Sequence, residues 1–366
     1  MRPAAKLLAL FLALLLPLSL CACGKSAPKV YPIAREMETG TTTYTHPDEE
    51  DLGPFVYKAI REYDERGLAT RLDVVTGSGV LRLDLQYSFD EQGNPAGYST
   101  LIMGLELRAL VENCYEDGAL RQAVITELLV EGKPLPPGEN RTPAAYMLGT
   151  VLPLMLFAPL EHYVGYETCS LRLADSDREI RYENGQQVYS LSEQDSLRTE
   201  TTTQALPEGG TRVTRRYQVT GERTSLSRKE SMREEDGRHC LRFWEEVYPD
   251  DSRLTLTFRY EDGTNEEGQR TRLAFPDQIT AKGGGTAETL AQNLRAGADQ
   301  PFAEYLLDEK DRVSSYVIFN TRLDPEGKTT VWMSAAFDPR GRQISGETLL
   351  TGERNTIRTV TATEYR

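Results

Sequence analysis

The chain of 366 residues carries 42 Lys+Arg against 56 Asp+Glu, a formal net charge of −14. This balance argues against nucleic acid, whose phosphates are bound through basic side chains that release counterions, and against electrostatic adsorption onto anionic lipid. At 39% hydrophobic residues the chain can build a core, but it lacks the composition of a polytopic membrane protein.

Met1–Lys6 holds two positive charges and precedes Leu7–Leu20, an apolar run broken only by Pro17 and Ser19. This is the n-region and h-region pattern of a secretory signal, too short for the roughly 20 residues of a membrane-spanning helix. The run ends in Leu20-Cys21-Ala22-Cys23-Gly24. That segment resembles the lipobox of bacterial lipoproteins, with Leu20 at −3, the small Ala22 at −1 and Cys23 at +1. The resemblance implies cleavage between Ala22 and Cys23 and a diacylglycerol on the Cys23 sulfur. It also implies a palmitate-type anchor that holds the chain on the extracytoplasmic face of the cell membrane. Two acyl chains anchor far more firmly than one. Past Cys23 the cysteines are Cys114, Cys169 and Cys240. Their odd number fits three thiols or one disulfide and a thiol, and argues against a disulfide framework.

In chain order, residues 1–22 read as signal peptide and 23–53 as a flexible stalk rich in Ser, Thr, Pro and charge. Residues 54–165 read as an α+β region with an apolar helix, 166–281 as an antiparallel β-meander, and 282–366 as short helices followed by a C-terminal meander. Pro54–Arg66 carries Phe55, Ala59, Ile60 and Tyr63 near helical spacing, with Gly67 as a stop. From residue 70 the period becomes two. Leu81, Leu83, Leu85, Tyr87 and Phe89 alternate with polar residues, as do Leu254–Tyr260 and Val331–Phe337, giving strands with one dry and one wet face.

Turn chemistry supports antiparallel pairing. Tyr115-Glu116-Asp117-Gly118, Tyr182-Glu183-Asn184-Gly185 and Tyr260-Glu261-Asp262-Gly263 place Asp-Gly or Asn-Gly where a type I′ hairpin needs two positive φ angles. A second set is Phe89-Asp90-Glu91-Gln92-Gly93, Leu323-Asp324-Pro325-Glu326-Gly327 and Phe337-Asp338-Pro339-Arg340-Gly341. In these, Asp opens a type I turn and Gly takes the left-handed site of a bulge. The second set looks like the turn of the YD (Rhs-type) repeat, a likeness of hairpin chemistry and not of kinship. Helices are expected at Ala144–Leu160, an uncharged run entered by Thr142-Pro143, at Ala287–Arg295 and at Phe302–Leu307. Gly283-Gly284-Gly285 reads as a linker, and Val313–Tyr365 as the last meander. The fold class is mainly β, antiparallel meander sheets with a few helices.

The chemistry-bearing residues are sparse. His46, Asp48, Glu49 and Glu50 are oxygen-rich but lie in the stalk without a turned loop, so they read as solvated charge and no metal is expected. His162 reads as a charge at a helix C-terminus. His239 and Cys240, as adjacent strand residues, would point to opposite faces. The motifs of zinc hydrolases, serine hydrolases, P-loops and dinucleotide folds are absent, and no cofactor or catalytic residue is assigned. Trp244 and Trp332 read as sheet core or as a stacking platform. The leading functional expectation is a non-enzymatic envelope lipoprotein that scaffolds or binds another envelope component. The alternative is a hydrophobic-ligand (lipid) carrier with residues 144–160 as lid. An envelope hydrolase is third.

Overall fold

The computed structural model describes residues 30–44, 54–134, 156–219, 228–319, 331–351 and 355–366, apart from positions 78, 103, 175, 195, 196, 208, 237, 239 and 249. It is one very large sheet of mainly antiparallel strands. β1 (Ile33–Tyr44), β2 (Phe55–Tyr63), β3 (Ala69–Thr76) and β4 (Gly79–Asp84) pair in succession. β5 (Gln86–Phe89) continues β4 after Leu85 and pairs on to β6 (Pro95–Ile102), β7 (Leu105–Glu116), β8 (Ala119–Val130) and the short β9 (Lys133–Pro134).

β8 then takes a parallel neighbour, β10 (Cys169–Leu173). From it run β11 (Glu179–Glu183), β12 (Gln186–Gln194), β13 (Leu197–Ala205), β14 (Thr211–Val219), β15 (Arg228–Glu235), β16 (Leu241–Val247), β17 (Arg253–Thr264) and β18 (Arg270–Lys282). After the helix α1 (Gly285–Ala296) come β19 (Ala303–Leu307), β20 (Val313–Phe319), β21 (Val331–Phe337), β22 (Gln343–Thr351) and β23 (Asn355–Tyr365). β23 pairs with β1, so the neighbour relations return to their start and the sheet is nearly closed.

Two separate cores fill parts of this sheet. The first joins Leu72, Leu83, Tyr98, Leu107, Ile125 and Leu171 to Phe157 and Leu160 of the 156–168 connection. The second joins Leu241, Trp244, Leu256, Tyr305 and Ile318 to Ala287, Ala291 and Leu294 of α1. Between them, no described residue of β13 or β14 is buried. β13 reads Leu-Arg-Thr-Glu-Thr-Thr-Thr-Gln-Ala, so its β-branched residues favour strand while offering no apolar face. Strand faces are laced by ion pairs such as Arg71 and Arg82 on Asp73, Arg181 on Glu179 and Arg358 on Glu347.

The expected strands and the helix at Ala287–Arg295 are present, and several local expectations are corrected. Residues 33–44, assigned to a flexible stalk, form β1, whose Thr39, Thr41 and Thr42 suit an extended backbone paired on both sides. Pro54–Arg66 is strand β2 and not a helix. Tyr57, Ala59, Arg61 and Tyr63 share its inner face, and the inward Arg61 hid the two-residue period. Phe302–Leu307 is strand β19 with Ala303, Tyr305 and Leu307 buried; cross-strand packing overrides the helical propensity of Ala, Glu and Leu. Tyr260–Gly263 lies inside β17, with Gly263 opposite Thr271, and the turn falls at Asn265–Gly268. Of the apolar run Ala144–Leu160, residues 144–155 lie outside the described residues. Its end, Phe157–Leu160, is a succession of turns that packs into the first core.

Five-residue turns recur with one design. Asp90 Oδ1 accepts the N–H of Asn94, and Asp338 Oδ1 those of Arg340 and Arg342, as expected. Asp64, Asp236, Asn265 and Asp308 do the same two and four residues onward. The side chain thus satisfies backbone donors that a tight turn leaves orphaned. Asp117-Gly118 and Asn184-Gly185 have positive φ at both positions, as type I′ geometry requires. The turn at 324–327 lies outside the described residues.

Candidate functional site

The 156–168 connection crosses the end of the first core and creates a cleft on each side. It is held from below by backbone bonds: the Ala69 N–H donates to Pro159 O at 3.2 Å and the Val164 N–H to Arg66 O at 2.8 Å. Gly67 makes this approach feasible. Its φ is +79°, and a Cβ there would lie 2.0 Å from the His162 carbonyl oxygen.

The narrower cleft, about 280 Å3, is lined among others by Tyr31, Glu161, His162, Tyr166, Tyr182 and Gln187. Tyr31 and His162 stack with centroids 5.3 Å apart, and Tyr63 meets both edge-on at 5.4 and 5.3 Å. The Tyr63 hydroxyl donates to Glu36 Oε2 at 2.6 Å, and His162 Nε2 lies 4.0 Å from the same oxygen. Burial, followed by the Glu36 charge, raises the Tyr63 hydroxyl far above its ordinary pKa, so it stays protonated and can donate to Glu36. Beside it, Tyr57 donates to Glu38 at 2.7 Å and is pushed up to about 12 by burial and by that carboxylate. Deeper in, the fully buried Tyr166 hydroxyl has no hydrogen-bond partner among the described residues, and neither has that of Tyr98.

The wider cleft, about 640 Å3, is built from two hairpin turns and the connection. Its wall is a continuous polar chain. Tyr115 donates to Asp90, which also accepts from Asn113 Nδ2 at 2.8 Å. Asn94 Nδ2 donates to the Tyr115 hydroxyl at 2.7 Å, while its Oδ1 lies 3.2 Å from the Tyr163 hydroxyl. Arg66 donates to that hydroxyl at 3.1 Å and lies over the Phe89 ring at 4.2 Å. Burial opposes ionisation of Asp90, but the hydrogen bonds from Tyr115, Asn113 and the Asn94 and Gln92 N–H groups outweigh it and hold the carboxyl below the usual range. The network fixes Tyr115 and Asn94 in place before any ligand arrives.

The residues singled out from sequence fall as follows. Leu20, Ala22 and Cys23, with His46, Asp48, Glu49, Glu50 and His239, lie outside the described residues. His162 stands on no helix end; it is stacked on Tyr31 in the narrower cleft. Cys240 follows the Asp236 turn, just ahead of β16, and is buried; burial pushes its thiol up to about 11 and that of Cys169 to about 12. Cys114 is exposed, and the three are free thiols. Trp244 is buried edge-on to Phe302 at 5.8 Å, a core position. Trp332 belongs to β21. Among the described residues, no group of three or more His, Cys, Asp or Glu side chains is placed to hold a metal. The site residues that sequence reasoning missed are Tyr31, which carried no spacing signal, Tyr63, whose spacing suggested a helix, and Asn94, the closing residue of the turn opened by Asp90.

No family model and no curated protein matches the chain. Among solved structures, a porin-like protein from Bacteroides uniformis ATCC 8492 is 10% identical, covering 92% of this chain and 99% of that one, with a TM-score of 0.20. OpdQ of Pseudomonas aeruginosa is 8% identical, covering 92% and 97%, with a TM-score of 0.18. Superposition at this level fixes neither a shared fold nor a shared activity.

Proposed function

We propose that the chain is a membrane-anchored extracytoplasmic lipoprotein whose β-sheet is a scaffold for binding another envelope component. The observation that carries the reading is the order of residues behind the apolar leader: Leu20, the small Ala22, then Cys23. A diacylglycerol on Cys23 would supply the membrane affinity, since each buried methylene contributes about 0.8 kcal/mol. The fold then has no need of a membrane-active surface and is available for recognition. Support for a binding role comes from the two clefts beside residues 156–168, whose polar groups are held by one another and by backbone. A hydrophobic-ligand carrier would need an apolar cavity. The two clefts beside residues 156–168 are instead walled by Arg66, Asn94, Glu161 and His162 among others.

Labelling cells with radioactive palmitate tests the anchor. Label is expected in the wild-type product and not in Cys23→Ala, which should leave the membrane fraction. An unlabelled wild type, or a Cys23→Ala chain that sediments with membranes as before, removes the proposal.

A further inference from the structure

The wider cleft combines features that together suit one class of ligand. Its walls carry hydrogen-bonding groups in both senses: Gln92 and Asn94 have amides that donate and accept, Thr168 a hydroxyl, Arg66 and Arg121 donors, and Glu167 acceptors. Two guanidinium groups and one carboxylate leave little net charge for an ionic ligand, and both arginines have acceptors or acids of their own: Arg66 donates to Gly93 O and Tyr163, and Arg121 lies 3.9 Å from Glu116. Apolar surface comes from Ala119, Leu120, Val164 and the rings of Tyr115 and Tyr163, interleaved with the polar groups, so a lipid tail would leave those polar groups unpaired. Tyr115 is half-buried, and its hydroxyl is occupied on both sides, donating to Asp90 and accepting from Asn94. The ring is therefore held at one angle in the cleft wall.

A flat, weakly apolar ring face bordered by amides that pair with adjacent hydroxyls is the complement of a pyranose. Its C–H face packs on an aromatic ring while its equatorial hydroxyls bond in pairs to amide and guanidinium groups. We infer that the cleft between the Asp90–Asn94 turn, the Tyr115–Arg121 hairpin and residues 163–168 binds a neutral oligosaccharide, with Tyr115 as the stacking platform and Gln92 and Asn94 as hydroxyl readers. The cleft is open, and a volume of about 640 Å3 accommodates more than one sugar ring. This rests on the binding-protein reading and names the ligand class of its site. Ordering of Tyr115 and Asn94 by Asp90 before binding lowers the entropic cost of association.

Isothermal titration of the full processed chain, in a zwitterionic detergent without a sugar headgroup, tests it with two probes: the β-1,4 tetramer of N-acetylglucosamine and the α-1,4 tetramer of glucose. At least one is expected to saturate with Kd between about 0.1 and 1 mM. Tyr115→Ala should weaken that binding by about tenfold or more, as loss of a central aromatic anchor does. If Tyr115→Ala fails to fold, the exposed Gln92→Ala replaces it, with a loss of about threefold expected from one neutral hydrogen bond. Absence of binding of both tetramers at about 10 mM, or unchanged affinity in the folded variant, overturns the inference. A chain that binds sugar yet takes up no palmitate would refute the anchor alone, so the two failures are distinct.

Discussion

The two cores are roofed in different ways, and the difference shows where this fold can carry a site. Over the second core lies a regular helix. Ala287, Ala291 and Leu294 of α1 are fully buried, and its first N–H groups are met by side chains from a distant turn: Thr286 N–H donates to Asp250 Oδ2 at 2.8 Å and Ala287 N–H to Ser252 Oγ at 3.0 Å. The Ser252 hydroxyl, which donates to Asp250 Oδ1 at 2.5 Å, and next the Thr286 N–H hold the Asp250 carboxyl well below its usual range. Within this core even the buried Tyr305 hydroxyl is used, accepting the Leu241 N–H at 3.0 Å. Over the first core lies an irregular connection. Its turns bring Phe157 and Leu160 inward, but a run of turns cannot cover a sheet edge evenly, and clefts open on both sides. Beneath it the Tyr98 and Tyr166 hydroxyls have no hydrogen-bond partner among the described residues. A helical roof seals; an irregular roof leaves recesses with polar walls.

The contrast can be broken or sharpened by paired substitutions. The largest effect is expected from truncating each roof. Leu294→Ala should cost about 4 kcal/mol and Leu160→Ala about 2–3 kcal/mol, because the irregular connection can settle into the void and the helix cannot. Equal losses in urea denaturation would show the two roofs to be equally rigid. Smaller and opposite in sign is the tyrosine pair. Tyr305→Phe leaves the buried Leu241 N–H unpaired and should cost about 1–3 kcal/mol, whereas Tyr166→Phe removes a hydroxyl with no partner among the described residues and should be neutral or stabilising. A destabilised Tyr166→Phe would mean that this hydroxyl has a partner after all.

The smallest effect is a pH dependence at the wider cleft. Asp90 has a folded pKa depressed below its unfolded value of about 3.9, so its ionised network stabilises the fold above that pH. The contribution fades as pH falls through the folded value. Asp90→Asn should therefore be destabilised relative to wild type at neutral pH, with the gap closing below about pH 4. A gap independent of pH would assign the cost to packing and not to charge.

Much of the sheet was legible because its physics is local. Alternation of Leu81–Phe89 and Leu254–Tyr260, and the Asp-Gly and Asn-Gly pairs, each encode a strand or a turn within a few residues. The recurring five-residue turn was seen only where Gly fills the left-handed site. It was missed at Asp308, where Asp311 takes φ +60°, and at Asn265, where Asn replaces Asp. At Asp64 it was absorbed into an apparent helix whose alternation Arg61 had disguised. The sites were less legible, since Tyr31, Tyr63 and His162 meet across more than a hundred residues of chain. Their meeting depends on β1 pairing with β2 and on residues 156–168 folding back over Gly67, neither of which leaves a mark in local spacing.

The anchor is the claim on which the role outside the cytoplasm depends, and the intact mass of the protein extracted from membranes tests it most directly. The account predicts a chain that begins at Cys23 and carries the added mass of a thioether-linked diacylglycerol. A chain that begins elsewhere, or one that begins at Cys23 with a free thiol, would contradict it.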